Sequence, residues 1–452
     1  MARKRENFSG KVAFVMALAG SAIGLGNIWR FPYMVGEHGG AAFILVYIFC
    51  SIFLSLPLLF TESIIGRRAA QATYGAMETL SPGTSWKWVG LLSGVTCFII
   101  LSYYSVVGGW SIDYLFRAAV SGFDYGSVES SSSVFASMSS SIPEPLAFFT
   151  AFLAATSIIV LLGIKKGIEK FSKITIPVLF VLIVLLAVYS LTLPGASEGV
   201  RYLVTPDFSK LSPSMFAYAM GQSFYSMSLG VGCVLTYSSY MKKEENIATT
   251  GILTSIFDTL FALIAAFAVM PAVFAANLEP GAGPSLIFET LPYIFAKMGA
   301  DSPFVGRSVM IIFFLSVLMA ALTSSISMME VCVSNLMERK KMSRKAATAL
   351  TFAGAFILGS LCSLSFGSLG EIKLFGLNIF SFCDTFASNY LMTFGALAFS
   401  IFVGWKMGRA DVRDEFTNGG TVNVRLFNVV YFLIKWISPL VILAIFVSNF
   451  IL

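Results

Sequence analysis

The chain has 452 residues, of which 57% are hydrophobic and 12% charged, and it carries a formal net charge of +6. Its mean hydropathy is +0.82, whereas soluble domains carry roughly 25% charged residues. This balance excludes an ordinary soluble enzyme, and the excess charge belongs to short basic loops rather than to a nucleic-acid face. The six cysteines are scattered among apolar runs, with no CxxC pair and a single histidine. They read as reduced packing residues, not as metal ligands or a disulfide framework.

The N-terminus, MARKREN, is basic and leads straight into an apolar run without a small-residue cleavage site, so no signal peptide is expected. Eleven runs are long and apolar enough to span a bilayer as helices: 11–34, 41–65, 88–116, 145–163, 168–192, 215–240, 248–275, 303–337, 343–363, 379–403 and 425–451. The expected fold is an all-α polytopic membrane protein. Alternate loops carry RKR at 3–5, GRR at 66–68, IKKGIEKFSK at 164–173, MKKEE at 241–245, MERKKMSRK at 337–345 and KMGRADVR at 406–413. That asymmetry predicts a cytoplasmic N-terminus, and eleven spans then place the C-terminus outside. Lys435, inside the last run, is expected to snorkel toward the cytoplasmic side. Of the external loops, 118–144 is serine-rich and expected to be mobile. The other, 276–302, mixes Gly and Pro with an apolar periodic piece and is expected to hold a short lid helix.

The first run is weakened at its centre, where AGSAIGLGNIWRFP occupies residues 19–32. The sixth holds GQSFYSMSLGVG at 221–232. Both place glycines and polar residues at mid-membrane depth. They lie five spans apart and so cross in opposite senses, which is the pattern of an inverted-repeat transporter with its site at the midplane. An unwound turn frees backbone groups that are costly in lipid unless something occupies them. Half-helix N-termini suit a carboxylate, and freed carbonyls suit a small cation. The organisation expected is an N-terminal segment 1–10, a first five-helix repeat 11–192, an external loop 193–214, a second repeat 215–403, a cytoplasmic loop 404–424 and an eleventh span 425–452.

GSAIGLGNIWRFPY at 20–33, EHGGAAF at 37–43, GQSFYSMSLGVG, and ALTSSIS at 321–327 together resemble the neurotransmitter:sodium symporter family, its bacterial amino-acid transporters in particular. The resemblance implies sodium-coupled uptake of a neutral, apolar or aromatic amino acid by alternating access, in a bacterial inner membrane. The alternative is an amino-acid sensor that keeps the fold without transporting. The family often has twelve spans where eleven are expected here.

The same resemblance implies two sodium sites. One would use the Ala22 carbonyl, the Asn27 side chain, Ser226 and Asp258, with the substrate carboxylate completing the shell. The second would use carbonyls of Gly20, Ile23 and Ala320 with the hydroxyls of Thr323 and Ser324. Many members have Asn at the position of Asp258, and chloride-dependent relatives hold an anion beside it, near residues matching Tyr47, Gln222 and Ser226. A fixed carboxylate there implies that chloride is not required. The substrate ammonium would meet the Ala22, Tyr225 and Ser226 carbonyls and the Ser228 hydroxyl. Its carboxylate would meet the Leu25 and Gly26 amides and the Tyr104 hydroxyl. Ile100, Tyr225, Val231, Ser324 and Met328 would line the side-chain subsite. Val231 stands where a leucine-transporting bacterial member has Phe, and with Met328 and Met227 nearby a roomier pocket is expected.

Gates follow in the same way. Arg30 with Asp384 would form the outer pair above Tyr104 and Tyr225. Arg5 with Glu338, helped by Ser239 and Tyr240, would close the inner side, where Phe8 replaces a common Trp. Glu62 would hold the amides freed by the breaks. Gly167 and Pro177, separated by nine residues at the start of the fifth run, match a feature linked to unwinding at the cytoplasmic end.

Overall fold

The structure, a computed structural model, describes residues 6–120, 126–278, 286–298 and 302–451. The described residues fold as helices joined by short turns. In chain order these are α1 (Lys11–Ala22), α2 (Gly26–Glu37), α3 (Ala41–Ala69), α4 (Thr73–Leu80), α5 (Lys87–Val120) and α6 (Val128–Ser140). Next come α7 (Pro143–Leu161), α8 (Ile164–Leu191), α9 (Ala196–Val204), α10 (Pro213–Ser226), α11 (Cys233–Ser238) and α12 (Ile247–Ala275). The remainder are α13 (Thr290–Met298), α14 (Pro303–Arg339), α15 (Arg344–Leu364), α16 (Ile379–Lys406), α17 (Arg409–Thr417) and α18 (Val424–Val447).

Among the described residues, nine helices are long and apolar enough to cross a membrane, ten if α1 and α2 count as one span bent by 52°. The run expected at 215–240 does not qualify as one helix. It is divided into α10, of 14 residues, and α11, of six, each too short to cross alone. Helix starts follow capping chemistry. Ser212 caps α10 through the Met215 amide at 3.2 Å with Pro213 in the first turn, and Ser343 caps α15 through Ala346 at 3.2 Å.

The two long helices α5 and α14 pack on each other along their length, and α1 packs against α8, α12 and α14. This puts both breaks inside the molecule, where Ile23, Leu25, Met227 and Val231 are buried. The outward faces of α8 and α18 expose Val181, Leu185, Val188, Val429, Phe432 and Leu440, the pattern of a lipid-facing surface.

The serine-rich stretch corrects the expectation of a mobile loop. Residues 128–140 form α6, whose start is fixed by a capping box between Ser127 and Ser130. Phe135 lies 5.1 Å from the Trp110 ring and 5.6 Å from Phe288, and Ser132 donates to Glu289 at 2.7 Å. The serines bond back to carbonyls three residues earlier, so their polarity is satisfied within the helix. The short helix expected in 276–302 is α13. Between Gly167 and Pro177 the chain is wound, as one wide turn (Ile164–Glu169) running into a regular helix. All six cysteines are free and buried.

Candidate ion and substrate site

The first break opens at Ile23, whose ψ of 102° leaves helical space. Its freed groups turn to side chains. The Gly24 amide donates to Asn27 Oδ1 at 3.1 Å, and the Leu25 amide donates to the Tyr104 hydroxyl at 3.2 Å. A Cβ on Gly24 would run into the Ser324 side chain, so the close approach of α14 requires glycine. The second break covers 227–232, with positive φ at Ser228 (52°), Gly230 (81°) and Gly232 (78°). Glu62, buried on α3, accepts from the Gly230 amide at 2.7 Å and the Leu235 amide at 3.2 Å. One carboxylate thus occupies a donor within the second break and another in the helix that follows it. The breaks also touch each other, since Ser228 Oγ donates to the Ser21 carbonyl at 3.0 Å, and Ser324 Oγ donates to the same oxygen at 3.3 Å.

Asn27, Ser226 and Asp258 converge beneath the first break. Asn27 Nδ2 donates to Asp258 Oδ1 at 2.8 Å and to Ser226 Oγ at 3.0 Å, while Ser226 Oγ donates to Asp258 Oδ1 at 2.7 Å. Tyr47 donates to the other carboxylate oxygen at 3.3 Å. Gln222 Nε2 donates to the Gly26 carbonyl at 2.7 Å, leaving Gln222 Oε1 buried without a partner among the described residues. These donors and acceptors come from α2, α3, α10 and α12. They form an oxygen-rich pocket around a buried carboxylate, the chemistry a hard cation takes.

A second group of oxygens joins α1 to α14. Thr323 Oγ1 reaches the Ala320 carbonyl at 2.9 Å and the Ile23 carbonyl at 3.2 Å. Gly20 faces Thr323, whose side chain a Cβ at position 20 would touch. Ser324 Oγ lies on the same helix turn and points to Ser21 rather than to Ile23.

Between the two groups lies a cavity of about 30 Å³. Ala22, Leu25, Gly26, Ile100, Tyr104, Tyr225, Ser228, Val231, Ser324 and Met328 line it, together with Gly24 and Met392, which sequence reasoning missed. Ser226 does not line it; its hydroxyl is turned to Asp258. No charged side chain is part of this lining. Of the two methionines expected beside Val231, only Met328 lines the cavity. Met328 and Met392 reach into the space beside Val231, whereas Met227 is buried elsewhere in the core. Met392 could not be anticipated because α16 contributes it from far along the chain, through the close approach of Gly230 to its backbone.

Toward the opposite end from the basic loops, a vestibule of about 180 Å³ is bounded by Arg30, Tyr33, Tyr103, Tyr104, Tyr225 and Asp384, among others. Arg30 and Asp384 share this space without a direct ion pair. The Arg30 guanidinium sits 4.9 Å over the Tyr225 ring, and Asp384 accepts from Ser388 at 3.2 Å.

At the basic end, Phe8 is buried against Phe14, Tyr237 and Tyr240, with ring centroids at 5.6, 5.9 and 6.4 Å. Its amide donates to the Tyr240 carbonyl at 3.2 Å. Arg5 lies outside the described residues. Glu338 accepts from the Ala72 amide at 2.7 Å. Ser239 donates to the Thr236 carbonyl at 2.5 Å. Tyr240 donates to Glu330 at 2.7 Å, and Arg344 grips the same carboxylate at 2.6 and 3.0 Å. Glu330 and Arg344 were not anticipated. The signal available was Glu330 itself, a lone acid inside the apolar run MMEVCV.

A helical core broken twice at its centre, with polar oxygens and an uncharged cavity gathered at the breaks, is the architecture of a membrane transporter. Comparison with known proteins specifies it. The profile of the Sodium:neurotransmitter symporter family matches residues 5–138 and 131–452. An uncharacterized sodium-dependent transporter of Bacillus subtilis is 37% identical over 99% of this chain and 98% of its own. Another from Haemophilus influenzae is 34% identical over 99% and 98%. Among solved structures, MhsT in complex with L-phenylalanine superposes with a TM-score of 0.89, at 38% identity, covering 98% of this chain and 100% of that one. The chain belongs to the sodium:neurotransmitter symporter family, a family of sodium-dependent transporters and not of enzymes.

Proposed function

We propose that the protein couples sodium entry to the uptake of a neutral amino acid with an apolar or aromatic side chain, by alternating access. The observation that carries this is the cavity between the breaks. Leu25, Gly26 and Tyr104 line it together with Ile100, Val231, Met328 and Met392, and no charged side chain joins them. Such a lining favours an α-amino acid whose two charges meet backbone and hydroxyl groups and whose side chain is neutral. The likeness to MhsT, whose structure holds L-phenylalanine, supports the aromatic end of that class.

Two sodium ions accompany the substrate. One is assigned to the Ala22 carbonyl, Asn27, Ser226 and Asp258, and the other to Gly20, Ile23, Ala320, Thr323 and Ser324. Asp258 supplies the negative charge that makes chloride unnecessary. Arg30 and Asp384 gate the outer side, and Phe8, Tyr240, Glu338 and Arg5 gate the inner. The N-terminus is cytoplasmic and the C-terminus external, which puts the vestibule outside. A cavity of about 30 Å³ requires Met328, Met392 and the two tyrosines to part for an aromatic ring. Methionine, unbranched and easily repacked, suits that role.

The test is uptake of radiolabelled phenylalanine and leucine into proteoliposomes. An inward sodium gradient is expected to drive accumulation, and replacing sodium by potassium to abolish it. Sodium-independent accumulation, or equally strong uptake of lysine or glutamate, would overturn the reading.

A further inference from the structure

At the end of the molecule that carries the basic loops, α17 and the start of α18 enclose a cavity of about 480 Å³. It is lined by Arg409, Ala410, Arg413, Val424, Phe427 and Asn428. It lies apart from the breaks and plays no part in the transport reading. Arg409 and Arg413 stand one turn apart on α17, both exposed. The acids of that helix are taken up on its other side. Asp411 pairs with Arg68 at 2.5 Å, Asp414 lies 3.7 Å from Arg68, and the buried Glu415 pairs with Arg67 at 2.5 Å. Among the described residues, no carboxylate forms an ion pair with Arg409 or Arg413. Arg409 is oriented by Asn428, which accepts from its Nη2 at 3.0 Å, and by the Tyr431 ring at 5.5 Å.

The same Tyr431 ring carries a second cation. Lys435 Nζ lies 5.9 Å from it, and 4.9 and 5.7 Å from Trp405 and Trp436. Trp405 Nε1 donates to the Lys435 carbonyl at 2.9 Å. Both tryptophans are exposed, next to the apolar outer face formed by Val429, Phe432 and Leu440. Exposed Trp beside an apolar face marks the level of the membrane interface. The basic cavity therefore opens where lipid headgroups lie.

We infer that the cleft between α17 and α18 is a binding site for the headgroup of an anionic phospholipid, with Arg409 and Arg413 on its phosphate and Lys435 below. Planar guanidinium groups match phosphate oxygens in pairs. A zwitterionic headgroup would bring an ammonium into a cleft lined by two arginines and no carboxylate, and the neighbouring Tyr431 ring, suited to receive it, is already covered by Arg409 and Lys435.

The test is native mass spectrometry of the purified full chain, offered phosphatidylglycerol or phosphatidylcholine in detergent, with inorganic phosphate as a separate arm. Phosphatidylglycerol is expected to be retained over phosphatidylcholine. The double variant Arg409→Ala/Arg413→Ala should weaken retention about thirtyfold, as two interfacial arginines would. Ala410→Glu removes no contact and places a carboxylate between the arginines; it should weaken retention comparably, and it carries the test if the double variant unfolds. Sodium-dependent thermal stabilisation should persist in Ala410→Glu. Undiminished retention by both variants, or no preference over phosphatidylcholine, would overturn the proposal. So would stabilisation by inorganic phosphate alone to the level of the lipid, which would assign the cleft to free phosphate. The inference does not depend on the amino-acid reading, because retention of lipid and uptake of substrate are measured separately.

Discussion

Asp258 and Glu62 are both buried carboxylates on transmembrane helices, yet their surroundings differ in kind. Asp258 faces side chains that can rearrange, namely Asn27, Ser226 and Tyr47. Glu62 faces backbone amides that cannot. The first arrangement suits a site that exchanges partners with an ion, the second a structural clamp. Asp258→Asn is accordingly expected to slow uptake in chloride-free buffer and to let added chloride restore part of it. Uptake indifferent to both the substitution and chloride would remove this account of the carboxylate. Glu62→Ala orphans two buried amides, each costing about 1–3 kcal/mol; a fall in melting temperature larger than that of Glu62→Gln, which keeps one acceptor, would verify the clamp. Asp258 and Glu62 stand out in the sequence because a lone acid in an apolar run is expensive. Arg344 does not, since it sits among loop-like charges at the start of α15. Only the folded chain brings it onto Glu330.

Periodicity and glycine spacing located the helices well, because an apolar run of bilayer length has few other ways to satisfy its backbone. The two interruptions were legible for the same reason, as GSAIGLGN and SMSLGVG stand out against Leu and Phe. Polar composition failed where serines satisfy themselves. In α6 their hydroxyls bond within the helix while Phe135 anchors it to Trp110. The cavity's size was not legible either, since it depends on how closely α16 approaches Gly230. That approach makes a sharp prediction. Gly230→Ala combines a positive φ of 81° with a Cβ driven into the Met392 carbonyl. It should abolish substrate-dependent thermal stabilisation, while Gly221→Ala, a site with open space around its Cβ, should leave it intact.

Across the whole molecule, the basic end is held by contacts between segments remote in sequence. Arg67 on α3 pairs with Glu415 on α17 at 2.5 Å, and it also bonds the Glu415 and Glu245 carbonyls and Asn418. Nearly all of this is buried. Removing one partner of such a pair costs about 3–5 kcal/mol, so Arg67→Ala should lower the unfolding midpoint markedly in detergent. Unchanged stability would mean that α17 is not tied to the bundle. Sequence alone supplied the charges but not their partners, because ion pairs between residues hundreds of positions apart leave no local pattern.

Thr323 bridges the Ile23 and Ala320 carbonyls, so a single hydroxyl spans the joint between a broken helix and a continuous one. On the two-site reading, an ion placed there tightens the joint in proportion to its abundance. Folding free energy then becomes a sodium meter. Each occupied site adds about 1.4 kcal/mol for every tenfold rise in sodium above its dissociation constant. The slope of stability against the logarithm of sodium concentration counts the ions directly, without a transport assay. Thr323→Val should remove one ion's share of that slope and leave the other.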